Sequence, residues 1–202
     1  MTLLTRLRSN GIAWTDGFVS AERCTRLRAE LEYAFWWPST VVNRGRTGEI
    51  IDFESQVRQS ETTTQEWFTD EALAELACIE RRLCDLLELC PQRFEPWQAT
   101  RYQRGGRFER HHDAGLFRDD AAGERATTLL LYLDAPERGG ATRFPELGIE
   151  VSPQAGRLVV WNNLDHRGRV NQAMAHEASP VSAGLKTTLT SWCREHTIRL
   201  RS

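Results

Sequence analysis

Residues Tyr102–Asp113 read YQRGGRFERHHD and place two imidazoles and a carboxylate in consecutive positions, His111, His112 and Asp113. On a β-strand, side chains two apart leave the same face, so His111 and Asp113 would point one way and His112 the other. An imidazole beside a carboxylate is two thirds of a facial triad, the two-histidine, one-carboxylate set that holds non-haem Fe(II) and leaves coordination positions open. Completing the set requires one more histidine from elsewhere in the chain. Without it, His-x-Asp is only a polar strand.

Three further histidines lie outside this stretch. His166 sits in LDHRGR, a loop-like run, and His196 in the charged tail REHTIRLRS. His176 follows a turn-rich segment and stands ten residues before Lys186. From Leu185 the sequence alternates, so that Lys186, Thr188, Thr190 and Trp192 share one face of a strand. A lysine on an inward face is costly unless it meets an anion. A metal carrying a bidentate keto acid, with the distal carboxylate on Lys186, would supply that anion.

The elements that must position these groups fall into two textures. Ser20 can cap a helix over Ala21–Phe35, with Cys24, Leu27, Leu31 and Ala34 on one face. Val41–Val42 and Ile50–Val57 read as strands joined by the loop Asn43–Glu49. Asp70 opens a second helix with an apolar stripe of Leu73, Leu76, Ile79, Leu83 and Leu87, closed by Pro91. Short strand-like runs follow: Glu95–Tyr102, Phe108–Asp113, Thr127–Leu133, Ala141–Phe144, Arg157–Trp161 and Leu185–Trp192. Helices first and many short strands afterwards predict an α+β chain with a sandwich or small barrel buttressed by helices. At 202 residues one domain is expected, helical over about 1–90 and β over about 91–195.

Composition narrows the partners. A formal net charge of -2 gives no general electrostatic reason to bind nucleic acid or an anionic membrane. The start, MTLLTRLRSNGIAW, is too broken by charge for a signal peptide, and no apolar run is long enough to span a bilayer, so a cytoplasmic location is expected. The cysteines Cys24, Cys78, Cys84, Cys90 and Cys193 show no CxxC pair and read as buried thiols.

Taken together, the chain resembles the prolyl-4-hydroxylase branch of the Fe(II)/2-oxoglutarate-dependent dioxygenases. The pattern Y-x-x-G-x-x-F-x-x-H-x-D is met by Tyr102, Gly105, Phe108, His111 and Asp113. The pattern H-x-x-x-P-V-x-x-G-x-K-x-x-x-x-x-W is met by His176, Pro180, Val181, Gly184, Lys186 and Trp192. Between them lie a tyrosine-containing strand, a Gly139-Gly140 hairpin and a strand ending in Trp161-Asn162, and the likeness runs from about Gly11 to Glu195. The resemblance implies a double-stranded β-helix (jelly roll) with N-terminal helices packed on it. It implies that His111, Asp113 and His176 bind Fe(II), and that Lys186 binds the C5 carboxylate of 2-oxoglutarate. Tyr132, Tyr102 and Thr190 would stand around that carboxylate, and Arg125 would contact substrate. O2 is the second cosubstrate, with ascorbate as an optional reductant.

The implied reaction is hydroxylation of an unactivated C–H bond of a prolyl residue, amino acid or peptide, with release of succinate and CO2. Related halogenases replace the carboxylate ligand by a small residue, so Asp113 favours hydroxyl over chloride transfer. Where relatives often carry an aspartate before the distal histidine, this chain reads Val170-Asn171-Gln172. The expected partners are a small-molecule, amino-acid or peptide substrate, with no nucleic acid and no membrane. Two other classes compete: a non-catalytic jelly-roll sensor of metal and 2-oxoglutarate, and a zinc hydrolase. The hydrolase gives Lys186 and the Gly-Gly hairpin no purpose.

Plainer readings stand beside these. His112 is expected to point outward. Trp36, Trp37 and Trp97 line a cleft or fill the core. Arg44, Arg46 and Arg58 flank a lid over the site or are solvated. Residues Asp165–Arg169 close on substrate or form an ordinary loop.

Overall fold

In the computed structural model of the protein, which describes residues 1–45, 47 and 49–199, every α-helix starts on a hydroxyl. Thr2, Ser20 and Thr69 accept from the backbone N–H groups of Thr5, Arg23 and Ala72 and so cap α1 (Leu3–Asn10), α2 (Ala21–Leu31) and α3 (Asp70–Leu87). The first of these is not among the expected elements. Its signal was present: a threonine cap, Leu3 and Leu7 four apart and buried, and Gly11 at φ +73 ending the helix. Helix α2 stops before the expected Phe35. Its last amides turn back to the residue three before, and the Trp36 indole N–H donates to the Leu31 carbonyl at 3.0 Å, satisfying an acceptor that further helix would have used.

The strands before α3 are β1 (Ile12–Thr15), β2 (Trp37–Pro38), β3 (Thr40–Arg44), β4 (Ile50–Glu54), β5 (Arg58–Gln59) and β6 (Glu61–Thr64). After Pro91 come β7 (Gln98–Tyr102), β8 (Arg107–His111), β9 (Arg125–Tyr132), β10 (Arg138–Gly139), β11 (Thr142–Phe144), β12 (Ile149–Val151), β13 (Leu158–Asn162), β14 (His176–Ala178), β15 (Val181–Ala183) and β16 (Lys186–Arg194). The major sheet runs β1-β13-β9-β16-β7-β6-β2 and the minor sheet β12-β11-β14-β8-β5, antiparallel throughout. The N-terminal stretch expected to be helical therefore also supplies strands to the edges of both sheets.

Period-two alternation separates two apolar layers. Leu129 and Leu131 of β9, with Val160 and Leu189, pack against Leu27, Leu31, Leu76 and Leu83 of α2 and α3. Leu130 and Tyr132 face the other way and meet Val159, Trp161, Phe144 and Val151 between the two sheets. The helices thus cover the outside of the major sheet, and the space between the sheets is left for the site. Each fully buried leucine contributes about 1.5–3 kcal/mol, so the helical layer anchors the sheet from behind.

Among the described residues strands β3 and β4 pair only with each other, from Thr40↔Glu54 to Arg44↔Ile50. The expected strand Ile50–Val57 ends early at Glu54. This hairpin leaves Val42, Ile50, Ile51 and Phe53 exposed, and Arg44 ties it to Asp119 at 3.0 Å and to the Leu116 carbonyl at 2.6 Å. Arg46, expected beside Arg44, lies outside the described residues, as does Gly48.

Candidate metal centre

Strand β8 ends on His111 and β14 begins on His176, and the two residues are register partners across the minor sheet. Asp113 follows two residues past the end of β8, in a bend rather than in a strand. The expected strand Phe108–Asp113 is therefore shorter than its sequence suggested. One ligand atom each from His111, Asp113 and His176 lies within 4.8 Å of the others, the group among the described residues that could hold a metal. His111 Nε2 is 3.8 Å from Asp113 Oδ1, and His176 Nε2 is 3.7 Å from Asp113 Oδ2.

Each imidazole is oriented from behind. His111 Nδ1 bonds the Glu109 carbonyl at 2.8 Å and His176 Nδ1 the Met174 carbonyl at 3.0 Å. A carbonyl only accepts, so both rings carry a proton on Nδ1 and turn Nε2 toward Asp113. Phe108 stacks on His111 with centroids 3.6 Å apart, and Trp161 meets His176 edge-on at 4.7 Å. The Val170-Asn171-Gln172 departure has a structural role here. Asn171 accepts from Ala173 N–H and caps the turn Gln172–Met174, whose last carbonyl fixes His176.

Burial, then the neighbouring His176, pushes the His111 imidazole down to about 3, so it is neutral and its lone pair is available near pH 7. For Asp113 burial works against ionisation. The two imidazoles and the Thr128 hydroxyl outweigh it and hold the carboxyl below its ordinary range. Two imidazole nitrogens and one carboxylate, converging with the remaining side open to a cavity, fit a divalent non-haem iron.

Two residues without a distinctive sequence motif hold Asp113 in place. Thr128 Oγ1 donates to Asp113 Oδ2 at 2.7 Å, and Asn163 Nδ2 donates to Thr128 Oγ1 at 2.8 Å. The signal for Thr128 was its parity with Leu130 and Tyr132 on β9. Thr128→Val keeps the shape and removes the donor. It is expected to weaken Fe(II) binding about 10–100-fold, with Thr128→Ser restoring most of the loss, as read by anaerobic Fe(II) titration.

The cavity beside the triad is lined by Tyr102, Thr142, Lys186, Thr188 and Thr190, among others. Lys186 is 1 % exposed; its Nζ donates to the Gly140 carbonyl at 3.0 Å and sits 4.0 Å from the centre of the Tyr102 ring. Burial, partly offset by Asp134, lowers its pKa to about 7. No ion pair to Lys186 forms among the described residues. Gly140 stands at φ +76, where a Cβ would lie 3.3 Å from Lys186 Cδ, so glycine lets the hairpin carbonyl approach the amine. Thr190 and Tyr102 reach the cavity wall. Tyr132 is one layer deeper: its hydroxyl bonds Thr142 Oγ1 at 2.6 Å and the Val151 carbonyl at 3.2 Å.

A wider outer cleft shares His111, Asp113, Arg58 and Trp192 with this cavity. Arg125 and His112 line it, as do Trp37 and, from the β3–β4 side, Val41 and Val42. Arg125 pairs with Glu95 at 2.7 Å and lies 3.6 Å over Trp192. Arg58 is not the solvated arginine that composition suggests. Its guanidinium donates to the Thr40 carbonyl at 2.9 Å, lies over Phe108, and is lowered in pKa by burial. Trp97 is core and Trp36 lies beneath Arg101; neither is part of the cleft. The 165–169 loop is closed on itself by Asp165, which accepts from Arg167 and Arg169.

This fold and this donor set describe a jelly roll whose His/Asp/His cluster could hold a metal beside a buried lysine. Residues 97–194 match the family model of the 2OG-Fe(II) oxygenase superfamily. Over 160 residues, or 76% of the chain, it is 33% identical to prolyl 4-hydroxylase subunit alpha-1 of Rattus norvegicus and 31% identical to that of Gallus gallus. It spans only 29% and 30% of those relatives' lengths. The structure of the viral collagen prolyl hydroxylase from Paramecium Bursaria Chlorella virus-1, in its 2OG complex, superposes with a TM-score of 0.70 at 24% identity, covering 93% of this chain and 97% of that one. The chain is a prolyl-4-hydroxylase-like member of the 2OG-Fe(II) oxygenase superfamily. Fe(II), 2-oxoglutarate and O2 are the cofactor and cosubstrates of that family. Among the described residues no helix is long and apolar enough to cross a membrane.

Proposed function

We propose that this chain is a 2-oxoglutarate-dependent hydroxylase acting on a prolyl residue within a polypeptide. The observation that carries the reading is the convergence of His111, Asp113 and His176 within 4.8 Å beside a buried Lys186 that bonds a carbonyl and, among the described residues, forms no ion pair. His111, Asp113 and His176 would hold iron. Lys186 would hold the distal carboxylate of 2-oxoglutarate, with Tyr102 and Thr190 in the same wall and Tyr132 setting Thr142 from behind. Iron with these cosubstrates supplies the oxidising power to convert C–H to C–OH, one oxygen atom of O2 entering the product and the other entering succinate as CO2 leaves.

The protein's own part is placement and exclusion of water. Thr128 and Asn163 fix the carboxylate, and the Glu109 and Met174 carbonyls fix the imidazoles. The cationic pocket sets where the keto acid can enter. Arg125, Arg58 and Trp192 line the side where substrate would lie. A polypeptide substrate is supported by the prolyl hydroxylation for which the relatives are named and by a cleft that widens away from the metal between β3–β4 and the major sheet.

Anaerobic addition of Fe(II) and 2-oxoglutarate is expected to produce a weak visible charge-transfer band. With O2 and a proline-containing peptide, succinate and a +16 Da product should appear in equal amounts. Absence of the band with Fe(II), together with activity that needs only zinc, would replace this reading with the hydrolase.

A further inference from the structure

Next to the cleft lies a row of aromatic rings that the metal chemistry does not use. Phe35 and Trp67 are 61% and 53% exposed. Phe35 lies 6.1 Å from Trp37, with planes 26° apart, and 5.7 Å from Trp67. Trp37 in turn lines the outer cleft with Thr62, Thr64, Gln98, His111 and Asp113. The row is therefore continuous with the reaction site. Sequence parity explains its orientation: Trp36 turns inward under Arg101, and its neighbours Phe35 and Trp37 turn out.

We propose that Phe35, Trp37 and Trp67 form a docking strip for the proline-rich segment that flanks the target residue of a polypeptide substrate. The proposal rests on the hydroxylase reading above and adds to it where the rest of the chain binds. Exposed aromatic rings in a contiguous patch mark a binding surface more often than a packing accident. Trp37 lies in β2, the edge of the major sheet, which is two residues long and contains Pro38. Proline has no N–H to offer, so a partner gains little by adding a strand there. Recognition must go through the ring faces. A polyproline II segment suits that surface: its pyrrolidine rings offer compact apolar faces, its carbonyls are free to accept from indole N–H groups, and it is already extended before binding.

The test uses the full chain with Fe(II) and 2-oxoglutarate and two peptides, a long proline-rich one and a short one with the same central residues. The variant Phe35→Ala/Trp67→Ala is expected to raise KM for the long peptide about tenfold or more. Its kcat, and both constants for the short peptide, should match the parent. Trp67→Phe should recover most of the affinity. Binding of poly-L-proline to the metal-free protein, followed by tryptophan fluorescence, reads the strip without turnover and should fall in the double variant by a similar factor. If no peptide is hydroxylated but that binding is seen and is lost in the variant, the hydroxylase reading fails and the docking strip stands. Equal affinity of parent and double variant for the long peptide overturns the strip. So does a parent dimer in sedimentation that the double variant lacks while peptide affinity is unchanged, because the rings would then meet a second copy of the chain.

Discussion

Replacing Asp113 by alanine is expected to lower Fe(II) affinity by well over 100-fold, more than the loss expected for an outer hydrogen-bond partner such as Thr128, and to abolish succinate formation. The argument is one of charge as much as of donor count. Asp113 supplies the carboxylate of the cluster, and both histidines turn Nε2 toward it. The guanidinium groups of Arg58 and Arg125 are near enough to act on the site electrostatically. Without Asp113 they would leave it positive and repel a divalent cation. The variant should fold, since the carboxylate is stabilised against a burial penalty that alanine does not incur. Anaerobic titration with Fe(II), read by metal analysis and by the charge-transfer band, measures the effect beside a melting curve. An Asp113→Ala protein that keeps iron and the band would remove Asp113 from the ligand set.

Lys186→Met should raise KM for 2-oxoglutarate by about 10²–10³-fold while iron stays bound, as expected when one partner of a buried charge pair is removed at a cost of about 3–5 kcal/mol. The same substitution is expected to raise the melting temperature of the cosubstrate-free protein. There Lys186 has a carbonyl and a ring face for company but, among the described residues, no carboxylate within ion-pair distance. Burial, only partly offset by the more distant Asp134, holds its pKa near 7 against 10.5 for an unperturbed lysine. A methionine of similar length fills the space with no charge to desolvate. Stability and cosubstrate binding therefore move in opposite directions, a signature that a purely structural lysine would not give. The pH dependence has a definite sign. The folded-state pKa lies below the unfolded one, so the unfolded chain binds more protons between about pH 7 and 10.5 and the free protein gains stability as pH rises through that window. Affinity for 2-oxoglutarate runs the other way, falling toward tenfold per unit above about pH 7 because the amine must first take up a proton. Calorimetry at pH 8 in buffers of different ionisation enthalpy should show that uptake in the parent and none in Lys186→Met.

Much of the site was legible because strand parity and spacing are local properties. The alternation from Leu185 to Trp192 placed Lys186, Thr188 and Thr190 on one face, and all three line the cavity. The α3 stripe was equally readable, with Leu76, Ile79, Leu83 and Leu87 buried and Leu73 packed against them. His111 and Asp113 do converge, but by a route that alternation does not describe. Strand β8 stops at His111, so Asp113 arrives through a bend held by Thr128, and parity alone does not aim it. Arg58 misled because an arginine in a polar run is usually solvated; here the fold brings Phe108 and Thr40 to it from distant positions.

The amino-acid sequence by itself determined the donor types, the inward face of β16 and the apolar stripe of α3, since each depends on residues within a few positions of one another. The resemblance already implied His176 as the third histidine, but only the tertiary structure shows how it reaches the other two. His176 meets His111 because β14 pairs with β8, a contact between distant segments that no local spacing encodes. The same holds for the Asn163–Thr128–Asp113 chain, which joins three separate segments. His111, His112 and Asp113 offered three adjacent candidates. Pairing across the minor sheet and one hydroxyl from the major sheet brought two of them into the cluster and turned His112 to the outer cleft.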